Sequence, residues 1–195
     1  MSLLVAAAVL AACGSATQQT AALTGEDHTP YPLASTTLTD TAGKAYTLKT
    51  DATKPLTLVF FGYTHCPDEC PLVMSTLAAT VTRLDAQDRR RVGVVFVTTD
   101  PGRDTPAVVK RWLDRYDPSF VGLTGKMKDI VTLASSMREY VGEGTRLPSG
   151  GYDLGVHDTH ISGVSGGRAN VVWDMHTSPK QLADDIHEIL EKHPQ

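Results

Sequence analysis

At 195 residues, 41% of them hydrophobic and 21% charged, the chain has enough apolar mass for one substantial core and calls for no second domain. A formal net charge of −4 gives no electrostatic footing for nucleic acid. Small molecules, metal ions and protein partners remain.

The opening stretch Met1–Ala12 is apolar and small-sided, and shorter than the roughly twenty residues a bilayer-spanning helix needs. It fits the hydrophobic part of an export signal, although no Lys or Arg precedes it. Leu10-Ala11-Ala12-Cys13 resembles the lipobox of bacterial lipoproteins. That resemblance implies that residues 1–12 are a signal remnant, that Cys13 is lipidated, and that the domain sits outside the cytoplasm, anchored to the outer face of the cell membrane. The Ser/Thr/Gln/Ala-rich segment 13–32, with Pro30 and Pro32, is expected to be a flexible tether, and residues 33–195 the folded domain.

Within that domain, Leu38-Thr39-Asp40 and Ala45-Tyr46-Thr47-Leu48 flank the turn signal Thr41-Ala42-Gly43-Lys44, a hairpin pattern. The unbroken apolar run Leu56-Thr57-Leu58-Val59-Phe60-Phe61-Gly62-Tyr63 reads as a buried strand, followed by a helix from about Pro67 to Asp85. Val92-Gly93-Val94-Val95-Phe96-Val97 has the β-branched content of a central strand covered on both faces. Thr105 caps a helix reaching Tyr116, with Pro106 in its first turn and Val108, Val109 and Trp112 along an apolar stripe. Phe120–Leu123 is a short strand and Lys126–Tyr140 a further helix. After a loop around Pro148–Gly151, strands at Ile161–Val164 and Ala169–Trp173 enclose the turn Ser165–Arg168, and Ser178-Pro179 opens a last helix to about Lys192. Alternating buried strands and helices that finish in a hairpin and a helix predict an α/β, thioredoxin-like fold with an N-terminal hairpin extension.

The chemistry lies between the first long strand and the first long helix. Thr64-His65-Cys66-Pro67-Asp68-Glu69-Cys70-Pro71 sets two thiols four positions apart, where helical spacing puts side chains on one face. With Cys13 modified or removed, any internal disulfide must join Cys66 to Cys70. Closing so small a loop removes little chain entropy, so chemistry explains the pair better than stapling does. Two soft sulfurs can clamp one soft ion or close a disulfide.

Phe61-Gly62-Tyr63-Thr64-His65-Cys66-Pro67-Asp68-Glu69-Cys70-Pro71 resembles the signature of the Sco/SenC family, thioredoxin-fold proteins that bind copper and serve assembly of cytochrome c oxidase. Val97-Thr98-Thr99-Asp100-Pro101-Gly102-Arg103-Asp104-Thr105-Pro106 is similar to the family's next strand-to-helix segment, and the likeness covers about residues 33 to 190. It implies a Cu(I) or Cu(II) ion held by Cys66, Cys70 and a histidine before the final hairpin. Tyr152 to Ile161 offers His157 and His160. His157 fits the family pattern better, with Thr159 soon after it, whereas His160 stands where the strand begins. The implied partner is the copper-bearing, CuA-containing subunit of the oxidase, served by a monomeric, membrane-anchored metallochaperone.

A rival reading needs no histidine: a thiol-disulfide oxidoreductase in which Cys66 attacks and Cys70 resolves. A peroxidase is a third, weaker one. Asp68 and Glu69 suit a helix N-terminus regardless of function, and His65 reads as a polar edge of the turn. Asp100 and Arg103 suit either an ion pair or a role beside the site, while His28, His176, His187 and His193 read as solvated surface.

Overall fold

A computed structural model describes residues 23–142, 145–146, 152–153 and 157–192, so the signal remnant and Cys13 lie outside the described residues. Its centre is built by the two unbroken apolar runs. They become β4 (Leu56–Gly62) and β5 (Val92–Thr98), which pair in parallel from Leu56↔Val92 to Gly62↔Thr98. Side chains alternate across the pleat. Leu56, Leu58, Phe60, Val92, Val94 and Phe96 therefore face one layer, packed with α2 (Glu69–Arg83), α4 (Pro106–Leu113) and α6 (Pro179–Lys192). Val59, Phe61, Val95 and Val97 face the other, closed by α1 (Leu48–Asp51) and α5 (Met127–Ser136). Parallel strands need such cover on both faces, which is why their sequences carry no polar alternation.

Around this pair the sheet runs in the order β1-β10-β9-β4-β5-β6-β2-β3. One wing holds β6 (Val121–Thr124), parallel to β5, and the predicted hairpin, β2 (Leu38–Asp40) with β3 (Ala45–Tyr46). The other holds the predicted final hairpin, β9 (Ile161–Ser165) and β10 (Arg168–Trp173), antiparallel to β4 through β9. A separate two-stranded piece, β7 (Thr145–Arg146) with β8 (Tyr152–Asp153), and a short α3 (Ala86–Arg91) complete the described elements.

Three expectations change. The tether drawn over residues 13–32 ends early, because β1 (Glu26–Pro32) pairs antiparallel with β10, Glu26 opposite Val172 and Pro32 opposite Arg168. Its register shifts between Asp27 and Tyr31, the irregularity that lets an edge strand carry Pro30. The helix expected to reach Tyr140 stops at Ser136, and Arg138 takes a left-handed φ of 66°, turning the chain out of the helix. The first long helix begins at Glu69 and not at Pro67, with Asp68 as its cap, accepting from Glu69 N. Cys66 and Cys70 consequently do not share a helical face: Cys66 precedes the helix and Cys70 lies in its first turn.

The parallel strands β4 and β5 both end, at their carboxyl ends, in loops that carry the two sequence motifs. Thr99 N donates to Gly62 O at 2.7 Å and Thr99 Oγ1 to the same oxygen at 3.2 Å, so the two loops leave the sheet tied together.

Candidate metal centre

A tight turn carries the first thiol. Cys66 N donates to Tyr63 O at 3.2 Å, closing residues 63–66 directly after β4. Pro67 and the Asp68 cap then start α2, and the Cys70 amide, one of the unpaired N–H groups of a helix N-terminus, donates to Cys66 Sγ at 3.3 Å. The thiols thus meet across the helix start. Cys66 keeps 9% of its surface in solvent and Cys70 none, and both are free thiols. Room for the inner sulfur comes from Gly62, where a Cβ would stand 2.9 Å from Cys70 Sγ.

Burial, the largest influence, pushes the Cys70 thiol well above its ordinary value, and the neighbouring Cys66 and Glu69 add to the effect against a hydrogen bond from the backbone at Tyr63. The Tyr63 phenol is pushed up to about 12, first by burial, then by the nearby Cys66 and Cys70 sulfurs and a hydrogen bond shared with Cys66. Tyr63 is therefore a neutral hydroxyl beside the outer sulfur throughout the physiological range.

Tyr63 is also the link to the histidine. Its ring and that of His157 meet edge to face, centroids 5.8 Å apart at 85°. His157 pairs with Val141 in an isolated bridge, and its Nδ1 lies 2.9 Å from the Asp158 carbonyl oxygen. A carbonyl only accepts, so Nδ1 carries the proton and Nε2 keeps its lone pair. His160 turns elsewhere: its Nδ1 stands 3.4 Å from buried Glu139, which also accepts from Ser162 Oγ at 2.6 Å. Glu139, Asp158 and His160 gather their donor atoms within 4.8 Å of one another, and among the described residues Cys66, Cys70 and His157 do not. An ion bound by all three needs these donor atoms to draw closer together.

The second motif supports the first. Asp104, fully buried, accepts from Thr64 N at 2.9 Å, Thr64 Oγ1 at 2.5 Å and Thr98 Oγ1 at 2.7 Å. Sequence reading passed over this residue, quoting it in its motif without a role. Its place in the loop that follows a central strand is a general signal, and no local pattern marks the carboxylate as turned inward. Arg103 Nε instead pairs with Asp100, as one of the two readings of those residues expected. Thr105 and Pro106 begin α4 as expected, Thr105 Oγ1 accepting from Val108 N at 3.4 Å. Of the histidines read as surface, His28 stacks on Tyr31 with centroids 4.6 Å apart and His187 Nδ1 lies 2.7 Å from Asp88.

This donor set suits a soft ion: two sulfurs and an imidazole with an unprotonated Nε2 are ligands that Cu(I) favours and Cu(II) accepts.

The model of the SCO1/SenC family matches residues 27–191. The fold is similar to the solution structure of apo Sco1 from Thermus thermophilus, with a TM-score of 0.76 and 28% identity over 86% of this chain and 97% of that one. It is similar as well to Bradyrhizobium japonicum ScoI with copper bound, with a TM-score of 0.68 and 32% identity over 85% of this chain and 100% of that one. The SCO2 protein of Saccharomyces cerevisiae mitochondria is 34% identical over 103 residues, which are 53% of this chain and 34% of that relative. The chain thus spans only about a third of that relative's length.

Proposed function

The chain belongs to the SCO1/SenC family, and from that premise we propose that it is a copper metallochaperone that carries the ion on Cys66, Cys70 and His157 to the CuA-bearing subunit of cytochrome c oxidase. The observation that supports this most is the thiol pair itself, Cys66 Sγ 3.3 Å from the Cys70 amide, with the His157 imidazole in contact with the intervening Tyr63 ring and its Nε2 unprotonated. Copper is the cargo. Cys66, the less buried of the two thiols, meets it first, Cys70 completes the sulfur clamp, and His157 closes over it by leaving its edge contact with Tyr63. The buried thiol of Cys70 must release its proton to bind, so uptake strengthens as pH rises. Lipidation of Cys13, which tethers the domain to the outer face of the membrane, belongs to the same proposal.

Titration of the fully reduced chain with Cu(I) tests it. One ion should bind, with loss of most affinity in either Cys66→Ser or Cys70→Ser and a clear weakening in His157→Ala. Unchanged binding in the double cysteine variant overturns the reading.

The same hydrogen bond favours a second reading, since a sulfur held at a helix N-terminus beside another thiol is also the arrangement of a thiol-disulfide oxidoreductase acting on partner cysteines. That activity would require both cysteines and survive His157→Ala. Copper-independent turnover of a model disulfide, with His157→Ala as active as the wild type, would put this reading first.

A further inference from the structure

Two imidazoles stand near the thiols, and the function proposed above employs one. The other is His65, in the turn that Cys66 closes, with 52% of its side chain exposed. Its Nδ1 lies 3.1 Å from Thr64 Oγ1 and 3.5 Å from Asp104 Oδ1. The Thr64 hydroxyl has a single proton, which it gives to Asp104 Oδ1 at 2.5 Å. Toward His65 that oxygen can only accept. The imidazole therefore carries its proton on Nδ1 and presents an unprotonated Nε2, the same tautomer that the Asp158 carbonyl sets in His157. A nitrogen that donates toward a carboxylate, directly or through a hydroxyl, is how proteins prepare the opposite nitrogen of a histidine for a metal.

Resting on the copper reading, we propose that His65 is a transfer ligand, its Nε2 taking the ion over from His157 at the exposed edge of the thiol pair, with Asp104 acting through Thr64 as the positioning group. Cys66, the less buried of the two thiols at 9% exposure against none for Cys70, is the next residue in the chain. A bond from His65 Nε2 to copper forms as the bond from His157 breaks. Both donors are neutral nitrogen lone pairs, so the ion keeps its charge and oxidation state and no proton moves. The exchange leaves copper on the open side of the sulfurs, where an incoming ligand can reach it.

The test uses the full chain, reduced and loaded with one Cu(I), and follows both equilibrium affinity and the rate of release to excess bicinchoninate. His65→Ala should keep its affinity within about threefold and release copper about tenfold or more slowly, the range seen when groups around a metal site are altered. Asp104→Asn presents an N–H to Thr64, whose hydroxyl can then turn its proton onto His65 Nδ1 and move the ring proton to Nε2. Nitrogen-15 NMR of the metal-free chain should show that change of tautomer, and release should slow as in His65→Ala. Thr64→Val breaks the same relay and serves if Asp104→Asn does not fold. His187→Ala, at the distant pair with Asp88, should release copper at the wild-type rate. Wild-type release in His65→Ala at full affinity overturns the proposal alone. So does a large loss of affinity, which would make His65 a resident ligand, or an Nε2–H tautomer in the wild type. A wild-type chain that binds no copper instead ends the functional reading on which it rests.

Discussion

Asp104 and Asp185 are both sealed carboxylates that accept three hydrogen bonds, and they serve different ends. Asp185, on α6, receives Trp173 Nε1 at 2.8 Å, Gly25 N at 2.8 Å and Thr24 N at 3.1 Å. Those donors are an indole and two backbone amides, groups with nothing further to pass on. The network ends there, and its product is architecture: the segment leading into β1 is fastened to β10 and α6. Two of the donors to Asp104 are hydroxyls, and a hydroxyl is both donor and acceptor. By taking the proton of Thr64, Asp104 dictates what Thr64 can do toward His65. A buried charge becomes functional when one of its donors is itself a relay.

Removing each carboxylate separates the two roles. Asp185→Ala should have the larger effect on stability, about 3 kcal/mol or more in chemical denaturation, because it strands two buried donors at once. Copper affinity and release should be untouched. A marked loss of copper binding in a folded Asp185→Ala protein would break the distinction. Asp104→Asn, which keeps one acceptor oxygen, should cost about 2 kcal/mol. Its distinguishing mark is functional, the slower release described above, and a variant that loses stability alone would make Asp104 a second Asp185.

A smaller effect is expected from the glycine that seats the inner thiol. At Gly62 an added Cβ would stand 2.9 Å from Cys70 Sγ and 2.9 Å from the Phe60 ring, in a packed interior. Gly62→Ala should cost about 1–2 kcal/mol through overpacking and weaken Cu(I) binding by displacing the sulfur. Unchanged copper affinity would mean that the sulfurs adapt and that the relay side of the site, not the strand side, controls the metal.

How much of this the sequence disclosed follows from what each residue's neighbours are. β4 and β5 were legible because strands buried on both faces must be apolar throughout, and the predicted elements after them fell near their places. β1 was not legible: Glu-Asp-His-Thr-Pro-Tyr-Pro is polar and contains two prolines, and it is a strand only because β10 offers an edge and Asp185 holds its approach. Residues 137–140 continue the helical pattern in composition, yet Arg138 leaves it to lie over the Tyr31 ring, 5.1 Å from its centroid, a contact set by the unforeseen strand. At the site the cysteines were plain from their motif, and their separation across a helix start was not, because the cap is Asp68. Asp104 was hidden by its neighbour: Asp100 and Arg103 form the ion pair that spacing suggests, and nothing local shows that the next carboxylate turns inward to a loop 40 residues away in sequence.

A third buried carboxylate sharpens the comparison with the smallest expected effect. Asp88 touches an imidazole directly, His187 Nδ1 at 2.7 Å, on a surface away from the thiols, and the His187 side chain is 58% exposed. The hydrogen bond to Asp88 raises the His187 pKa above its ordinary value, outweighing the opposing effect of burial, and the charges of Asp88, Glu191 and Asp85 add to the rise. A group whose folded pKa is raised stabilises the fold fully below its unfolded pKa, near 6.5, and loses that contribution as pH rises through the folded value. Wild type should therefore be more stable than His187→Gln at pH 5.5 by less than about 1 kcal/mol, the scale of a solvent-screened pair, and the gap should close by pH 8.5. Comparing the two proteins at each pH removes the background from groups they share, such as Glu139, whose burial-raised pKa also favours the fold at lower pH. Salt should shrink the gap further, since one partner is open to solvent. A gap that widens with pH would reverse the sign of the pairing. Altered copper release in His187→Gln would show that an imidazole beside a buried carboxylate matters wherever it stands, and that the hydroxyl between Asp104 and His65 confers nothing of its own.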